Sequence, residues 1–304
     1  MGEIFYLVLN SGLLATAAGL IVLGLRRIRS LPRFGVYLLW ILPFVRFWMP
    51  IGIANRYSLL NFLSKFTTKT IVIWEPASLQ LSMTNSMQAA ESYFPIVYKT
   101  DLLKDIFNIA GLVWIIVALA AVLCALLLYI FTKSALRDAV HSKQNIYRSN
   151  TVLSPSVYGI IKPKIILPAG IPAADLDFIL QHESIHIRRR DNLWRVAAIL
   201  TACVHWFNPF SWIFLKCFFA DMELACDAGV LKNLSADKKK AYASAVLSCS
   251  AGKTYYASAF GGAKTKLRIE RILSYKKLTL LSGICFAILF LVIAATVITN
   301  ASVR

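Results

Sequence analysis

The feature that most constrains this chain is a set of four apolar runs, each long enough to cross a membrane as a helix. They cover residues 4–25, 34–53, 106–131 and 278–299. A hydrocarbon core of about 30 Å requires a helix of about 20 apolar residues. The chain is 58% hydrophobic and only 16% charged, which is too apolar for an ordinary soluble domain. The sequence therefore predicts a mainly α membrane protein with four transmembrane helices.

The distribution of positive charge predicts how these helices are oriented. The formal net charge is +18, and residues 132–277 hold 22 Lys and Arg against 10 Asp and Glu, whereas residues 54–105 hold 5 against 4. Because basic loops remain on the cytosolic side, residues 54–105 are expected outside the cell and residues 132–277 in the cytosol, with both termini outside. Topology therefore explains the basic composition, and no direct nucleic-acid binding is predicted.

These expectations divide the chain into three segments. They are residues 1–131, with three transmembrane helices and an outer loop at 54–105; residues 132–277, a cytosolic α+β domain; and residues 278–304, the fourth helix and a short outer tail. In the cytosolic segment, Asn145–Leu153 and Val157–Leu167 have the composition of strands. The apolar stretch Leu193–Phe219 is interrupted by Asn208-Pro209, so it predicts a helix–turn–helix rather than a fifth span.

The second run is unusual because it contains a charge and two prolines. Pro43 and Pro50 interrupt its helix, and Arg46 falls inside the apolar stretch. An arginine at that depth either makes a buried polar contact or extends its side chain to the interface. The second interpretation is the expectation here, with Arg46 reaching outward past Pro50.

A metal-binding pattern lies in the predicted cytosolic segment, at His182-Glu183-Ser184-Ile185-His186. On a helix the two histidines share one face, so both imidazoles can bind one zinc ion while Glu183 acts as general base. The flanking periodicity favours a helix. The pattern is short, however, and alone it does not separate a zinc site from two ordinary histidines.

A catalytic zinc ion requires a third protein ligand, and Glu223 is the best candidate. Asp227 follows it by four residues on the same face of a second predicted helix, where it can hydrogen-bond the far nitrogen of a ligand histidine. Both acids are embedded in apolar sequence, which argues against a solvated acidic helix. No Cys-x-x-Cys pair occurs, so a cysteine zinc site is not expected.

The residue that would stabilise the oxyanion is not identified by this pattern. His205 and Tyr242 are the candidates, because each can donate a hydrogen bond. For each of them, the interpretation as a packed core residue is favoured.

Several motifs in order resemble the BlaR/MecR group of membrane metallopeptidases, peptidase family M56, which are antirepressors of β-lactam resistance. The motifs are Ser154–Gly159, Lys162–Pro168, His182–His186 with Arg189-Arg190-Asp191, Trp206–Pro209, and Glu223 to Cys226-Asp227. The resemblance is densest over residues 150–275. It implies a gluzincin-like zinc peptidase fold, with zinc at His182, His186 and Glu223, Glu183 as general base and Asp191 as a supporting residue.

The resemblance also implies a bacterial plasma-membrane protein that acts on a cytosolic winged-helix repressor of the BlaI/MecI type and cleaves itself before the last span. The small-residue stretch around Ser258, Ala259 and Phe260 is the expected self-cleavage region, and an ordinary linker is the alternative. Sensor members continue into an outer penicillin-binding domain, and this sequence ends about five residues after the fourth run, so it is expected to be either a piece of a longer chain or a short member that receives its signal through a partner or the outer loop. Membrane lipid, a second copy of the chain and a separate sensor protein are therefore the remaining candidate partners.

Two other functions fit the same features. One is a membrane quality-control or prenyl-peptide zinc protease, which shares the histidine motif and a multi-span layout. The other is a non-catalytic signalling scaffold whose zinc site is structural. Selective cleavage of a repressor would distinguish the first alternative, and the absence of any cleavage product would indicate the second.

Overall fold

The computed structural model describes residues 1–49, 54–55, 101–249, 265–277 and 279–301, which are mostly helical. The helices are α1 (Gly2–Leu25), α2 (Arg33–Leu39), α3 (Ile41–Trp48), α4 (Asp101–Ala135), α5 (Ala173–Arg188), α6 (Asp191–Val204), α7 (Pro209–Leu231), α8 (Ala236–Cys249), α9 (Thr265–Leu273) and α10 (Leu280–Val297). Within these residues, α1, α10 and the Asp105–Ala135 part of α4 are long and apolar enough to cross a membrane. Their length and composition support a membrane location.

The second predicted span consists of two short helices, α2 and α3, joined at Trp40. Pro43 lacks the N–H that would donate to the Leu39 carbonyl, so a continuous helix loses a bond at this point. The Trp40 N–H instead donates to the Tyr37 carbonyl at 3.3 Å, which closes a tight turn. The end of this run lies outside the described residues, and the count of four transmembrane helices remains a prediction.

Arg46 does not reach outward as expected. Its side chain is buried, and its Nη1 donates to the Ile298 carbonyl at 3.2 Å. Ile298 is the residue that follows α10, where helix carbonyls lack partners within the helix and favour a cation. The snorkelling interpretation is therefore wrong, and Arg46 makes a buried contact between α3 and the end of α10.

Two short strands, β1 (Ala54–Asn55) and β6 (Asn300–Ala301), pair in parallel. A separate four-stranded sheet precedes α5. Its strands are β2 (Val140–Lys143), β3 (Ile146–Ser149), β4 (Ser156–Tyr158) and β5 (Lys164–Pro168), in the order β2-β3-β5-β4. The pairing of β3 with β5 is parallel and the other two pairings are antiparallel. The first predicted strand contains β3. The second predicted strand is divided into β4 and β5 by a turn at Gly159, whose φ is +99°.

The helix–turn–helix expected over Leu193–Phe219 is present as α6 and α7. Asn208 caps α7, because its side-chain oxygen accepts from the Phe210 N–H at 3.0 Å, and Pro209 occupies the first helical position, where its missing N–H is not needed. The turn folds α7 back along α6, which aligns Asp191 at the start of α6 with the second half of α7.

Helix α7 belongs to two hydrophobic cores. One core joins it to α1, α2, α3, α6 and α10, and the other joins it to α5, α8 and α9. Close packing on α1 requires Gly19, since a Cβ there would come within 2.1 Å of the Phe214 ring. Asp221 of α7 is also held by Arg26, at 3.0 Å to each oxygen, and by the Trp40 indole at 2.8 Å. Helix α7 is therefore fixed on both sides.

Candidate metal centre

Two buried histidines on α5 face a carboxylate on α7. His182 and His186 are four residues apart and share one helix face, and their Nε2 atoms are 3.2 Å apart. Glu223 Oε2 lies 3.4 Å from His182 Nε2, and Glu223 Oε1 lies 3.6 Å from His186 Nε2. The packing of α5 on α7 thus brings the histidine pair together with a carboxylate from a later helix.

These separations match the donor arrangement of a tetrahedral metal ion. Ligand atoms bound to zinc at about 2.0–2.1 Å in a tetrahedron are roughly 3.3–3.4 Å from one another. The distance between the two Nε2 atoms, and the distance from each Nε2 to its nearer Glu223 oxygen, lie close to this value; Oε2 faces His182 and Oε1 faces His186. The residues present could therefore hold a zinc-sized ion without rearrangement of the backbone.

The far nitrogen of His186 is held by a buried acid. Its Nδ1 lies 2.6 Å from Oδ2 of Asp191, the first residue of α6. The chain reverses between the two through Arg190, whose φ of 55° is uncommon for a residue other than glycine. Asp191 also accepts from Arg189 at 2.6 and 3.1 Å and from the Tyr37 hydroxyl at 3.1 Å. Four donated hydrogen bonds therefore fix this carboxylate.

The far nitrogen of His182 is held in a similar way. The Tyr242 hydroxyl donates to Asp227 Oδ1 at 2.7 Å and lies 2.9 Å from His182 Nδ1. Since a hydroxyl has one hydrogen, the Tyr242 oxygen can only accept from His182, which places a hydrogen on Nδ1. Arg268 donates to both Asp227 oxygens, at 2.8 and 2.7 Å.

Both Nε2 atoms are therefore acceptors in the neutral imidazoles, and they point at each other and at a carboxylate. Such a convergence of acceptors favours a cation. Burial alone would lower the pKa of His182, but hydrogen bonding to Asp227 and Glu223 outweighs burial and raises that pKa to about 9. Burial would likewise raise the pKa of Glu223, but the charge of His186 holds it well below its usual range. A proton or a metal ion can satisfy this demand.

Two arginines approach Glu223 from outside the histidine helix. Arg195 of α6 donates to Oε1 at 2.8 Å, and Arg268 Nη1 of α9 lies 3.6 Å from Oε2. Neither residue was identified from the sequence, because Arg195 is 28 residues from Glu223 and Arg268 is 41 residues from Asp227, with no shared periodicity. Glu183, the predicted general base, is a buried residue of α5 that lies between the two histidines in sequence.

A cysteine also lies beside the histidines. Donor atoms of His182, His186 and Cys226 lie within 4.8 Å of one another, so these three residues could also hold a metal ion. The Cys226 sulfur is 3.3 Å from His186 Nδ1, the nitrogen that contacts Asp191. Cys226 belongs to the last of the resembling motifs, but no metal-binding role was predicted for it because it has no Cys-x-x-Cys partner.

The two predicted oxyanion donors lie away from the Nε2 atoms. His205 follows the last residue of α6, and at 1.5 Å per residue it is roughly 20 Å from Asp191; its ring packs against Phe47. The Tyr242 hydroxyl contacts the far side of His182, as described above. Both positions suit the interpretation as packed residues, and an oxyanion role for either stays a prediction. The expected self-cleavage region at residues 258–260 lies outside the described residues.

Comparison with known proteins places this site in a family. A family model described as BlaR1 peptidase M56 matches residues 6–273. Regulatory protein BlaR1 of Bacillus licheniformis is 40% identical over 102 residues, which are 33% of this chain and 17% of that protein. Methicillin resistance mecR1 protein of Staphylococcus aureus is 27% identical over 126 residues, 38% of this chain and 22% of the relative.

Regulatory protein BlaR1 of Staphylococcus aureus is 21% identical over 215 residues, 60% of this chain and 37% of the relative. The matched parts thus cover less than two-fifths of the length of these curated relatives. The family model, in contrast, spans the helices of the site and most of the chain, and the chain belongs to the BlaR1 peptidase M56 family.

Proposed function

We propose that this chain is an integral-membrane zinc endopeptidase in which His182, His186 and Glu223 bind the metal and Glu183 is the general base. The observation that carries the proposal is the convergence of three acceptor groups at separations of 3.2, 3.4 and 3.6 Å, which suit a tetrahedral ion. Membership of a peptidase family supports the same chemistry.

Glu223 is a better third ligand than Cys226. The Cys226 sulfur lies on the Nδ1 side of His186, and a metal ion there would have to displace Asp191 from its 2.6 Å contact. The Nε2 side needs no such displacement, because Glu223 already reaches both rings there. Glu223 is also partly exposed, at 18% of its side chain, so this side is the one that a substrate can reach.

Bound zinc would act as a Lewis acid on the scissile carbonyl. Glu183 takes a proton from the attacking water and passes it to the leaving nitrogen. Asp191 and Asp227 keep both histidines with hydrogen on Nδ1 and the lone pair on Nε2, which is the tautomer that binds a metal. Arg195 and Arg268 balance the negative charge of the acids.

The proposed site faces the cytosol, with both termini outside, since the basic residues concentrate in 132–277. The proposed substrates are the chain itself, near Ser258, Ala259 and Phe260, and a cytosolic winged-helix repressor of the BlaI/MecI type. The regulatory and resistance names of the relatives support a signalling role over general quality control.

The test compares the wild-type full chain with Glu183→Gln in bacterial membranes. The variant should retain stoichiometric zinc, measured by elemental mass spectrometry, and should lose cleavage of the chain and of a co-expressed repressor by about 100-fold or more. Asp177→Asn, an exposed acid on α5, is the matched control and should cleave normally.

Three outcomes would contradict the proposal. A wild-type protein without zinc would exclude the metal centre. If zinc-loaded protein forms no cleavage product under any inducing condition, the result would indicate a structural scaffold. If it cleaves misfolded membrane proteins but not the repressor, the result would indicate quality control.

A further inference from the structure

Arg268 connects α9 to the acids of the candidate metal centre. Its Nε and Nη2 donate to Asp227 at 2.8 and 2.7 Å, and its Nη1 lies 3.6 Å from Glu223 Oε2. One guanidinium group thus contacts both the acid behind His182 and the third proposed ligand. Both acids belong to α7, whereas Arg268 comes from a helix that follows α8 in the chain.

The docking of α9 does not by itself explain this contact. Helix α9 packs through Ile272, which is fully buried in the core shared with α5, α7 and α8. Lys266, two residues before Arg268, is exposed to solvent on the same helix. The long side chain of Arg268 instead turns inward, where only 17% of it is exposed.

The fork formed by the two hydrogen bonds from the Arg268 guanidinium to Asp227 fixes the orientation of the Asp227 carboxylate. A planar guanidinium that binds both oxygens sets the plane of the carboxylate, which a single hydrogen bond does not. Asp227 Oδ1 is thereby kept 3.3 Å from His182 Nδ1 and in contact with Tyr242. In the described part of the chain, the hydroxyl and guanidinium groups that donate to Asp227 are those of Tyr242 and Arg268. Loss of Arg268 would leave only the Tyr242 hydroxyl of these donors.

We infer that Arg268 is a positioning residue that holds Asp227 and Glu223 in the arrangement that binds the metal, so that the metal centre is complete only when α9 is docked. The inference rests on the proposed function for the identity of the ligands. It assigns to α9, which contributes none of the proposed ligands, control over the affinity of the site.

The experiment measures zinc affinity of the full chain in lipid nanodiscs by competition with a chromophoric chelator. Arg268→Gln should weaken zinc binding by about 10–100-fold, which is typical for loss of a residue that supports a metal ligand. Charge alone would act in the opposite direction, because removal of a cation near a metal site strengthens binding. A fall in affinity therefore separates positioning from charge balance.

Three further variants complete the test. Lys266→Gln, the matched control on α9, should bind zinc as the wild type does. Arg268→Lys keeps the charge without the fork and should recover only part of the loss. The double variant Arg268→Gln/Asp227→Asn should lose less affinity than the product of the two single losses, since both act through the Asp227 contact and only the Arg268 contact with Glu223 is independent of it.

The inference would be overturned if Arg268→Gln bound zinc with wild-type affinity, or if the losses of zinc affinity in the two single variants multiplied in the double variant. Either result would leave the proposed function intact. If Arg268→Gln does not fold, full zinc affinity in Arg268→Lys would overturn it equally. Absence of zinc from the wild-type chain would instead overturn the proposed function and this inference together.

Discussion

The two halves of the candidate metal centre use the same set of groups but take them from different parts of the chain. His186 contacts Asp191, which accepts from Arg189 and the Tyr37 hydroxyl. His182 lies beside a second acid, Asp227, which accepts from Arg268 and the Tyr242 hydroxyl. Each half thus combines a histidine, an aspartate, an arginine and a tyrosine.

The origins of these groups separate the two halves. In the His186 half, the aspartate and arginine are within five residues of the histidine, and the tyrosine comes from α2, part of the second predicted span. In the His182 half, the supporting groups come from α7, α8 and α9, which lie later in the chain. One histidine is therefore supported by residues next to it in sequence and by one tyrosine of α2, and the other by side chains of three later helices.

Zinc affinity should depend steeply on pH, and this is the largest expected effect. The pKa of His182 is raised to about 9, so without metal this histidine is protonated at neutral pH, and zinc must displace the proton. The pKa of His186 is raised as well, since its acidic surroundings outweigh its burial. Affinity should thus rise about tenfold per pH unit below about pH 9 as zinc displaces the His182 proton, and more steeply where His186 is protonated as well.

Calorimetric titrations at several pH values in buffers of different ionisation enthalpy would measure the number of protons released. Asp227→Asn should reduce that number, because it removes the acid that raises the pKa of His182. A flat affinity profile across this range would contradict the prediction. The metal-free protein should behave in the opposite sense, with the stability from protonated His182 present at low pH and lost as the pH rises through 9.

Asp191→Asn and Asp227→Asn should each lower zinc affinity by about 10–100-fold, but they should loosen different helices. Each substitution leaves a mostly buried arginine without its carboxylate, at a cost of about 3–5 kcal/mol. Hydrogen–deuterium exchange should increase over residues 33–48 in Asp191→Asn and over residues 265–273 in Asp227→Asn. The same exchange pattern in both variants would show that the two halves are not independent.

Tyr37→Phe and Tyr242→Phe should have the smallest effects, because each removes one hydroxyl from an acid that keeps its arginine. Loss of one such hydrogen bond costs about 0.5–1.5 kcal/mol. Tyr242→Phe should weaken zinc binding more than Tyr37→Phe does, since its hydroxyl also contacts His182 directly. Equal affinities in the two variants, measured by chelator competition, would remove this difference between the halves.

The elements that carry the histidines and the acids could be predicted from the sequence because their signals are local. The helix of His182 and His186 follows from their spacing, and the turn before α7 follows from Asn208-Pro209. The placement of Glu223 and Asp227 four residues apart on a helix could be derived in the same way. Each of these patterns spans a few residues and one helical period.

The contacts that support the site could not be predicted, because they join residues far apart in sequence. Tyr37 and Asp191 are separated by 154 residues, and Trp40 and Asp221 by 181. Neither pair has a periodicity that relates its members. For Arg46, two interpretations were open, and the packing of α3 beside the end of α10 decided between them.

The contact between Tyr37 and Asp191 has a practical consequence for any measurement on this protein. The oxygen atoms are 3.1 Å apart, so a displacement of α2 by about half an ångström away from α6 would break the hydrogen bond. Bilayer thickness and detergent both change the tilt and packing of membrane helices. If zinc binds as proposed, we expect its affinity to depend on the surrounding lipid through α2, and values obtained in micelles and in bilayers of different acyl-chain length should be compared as separate conditions.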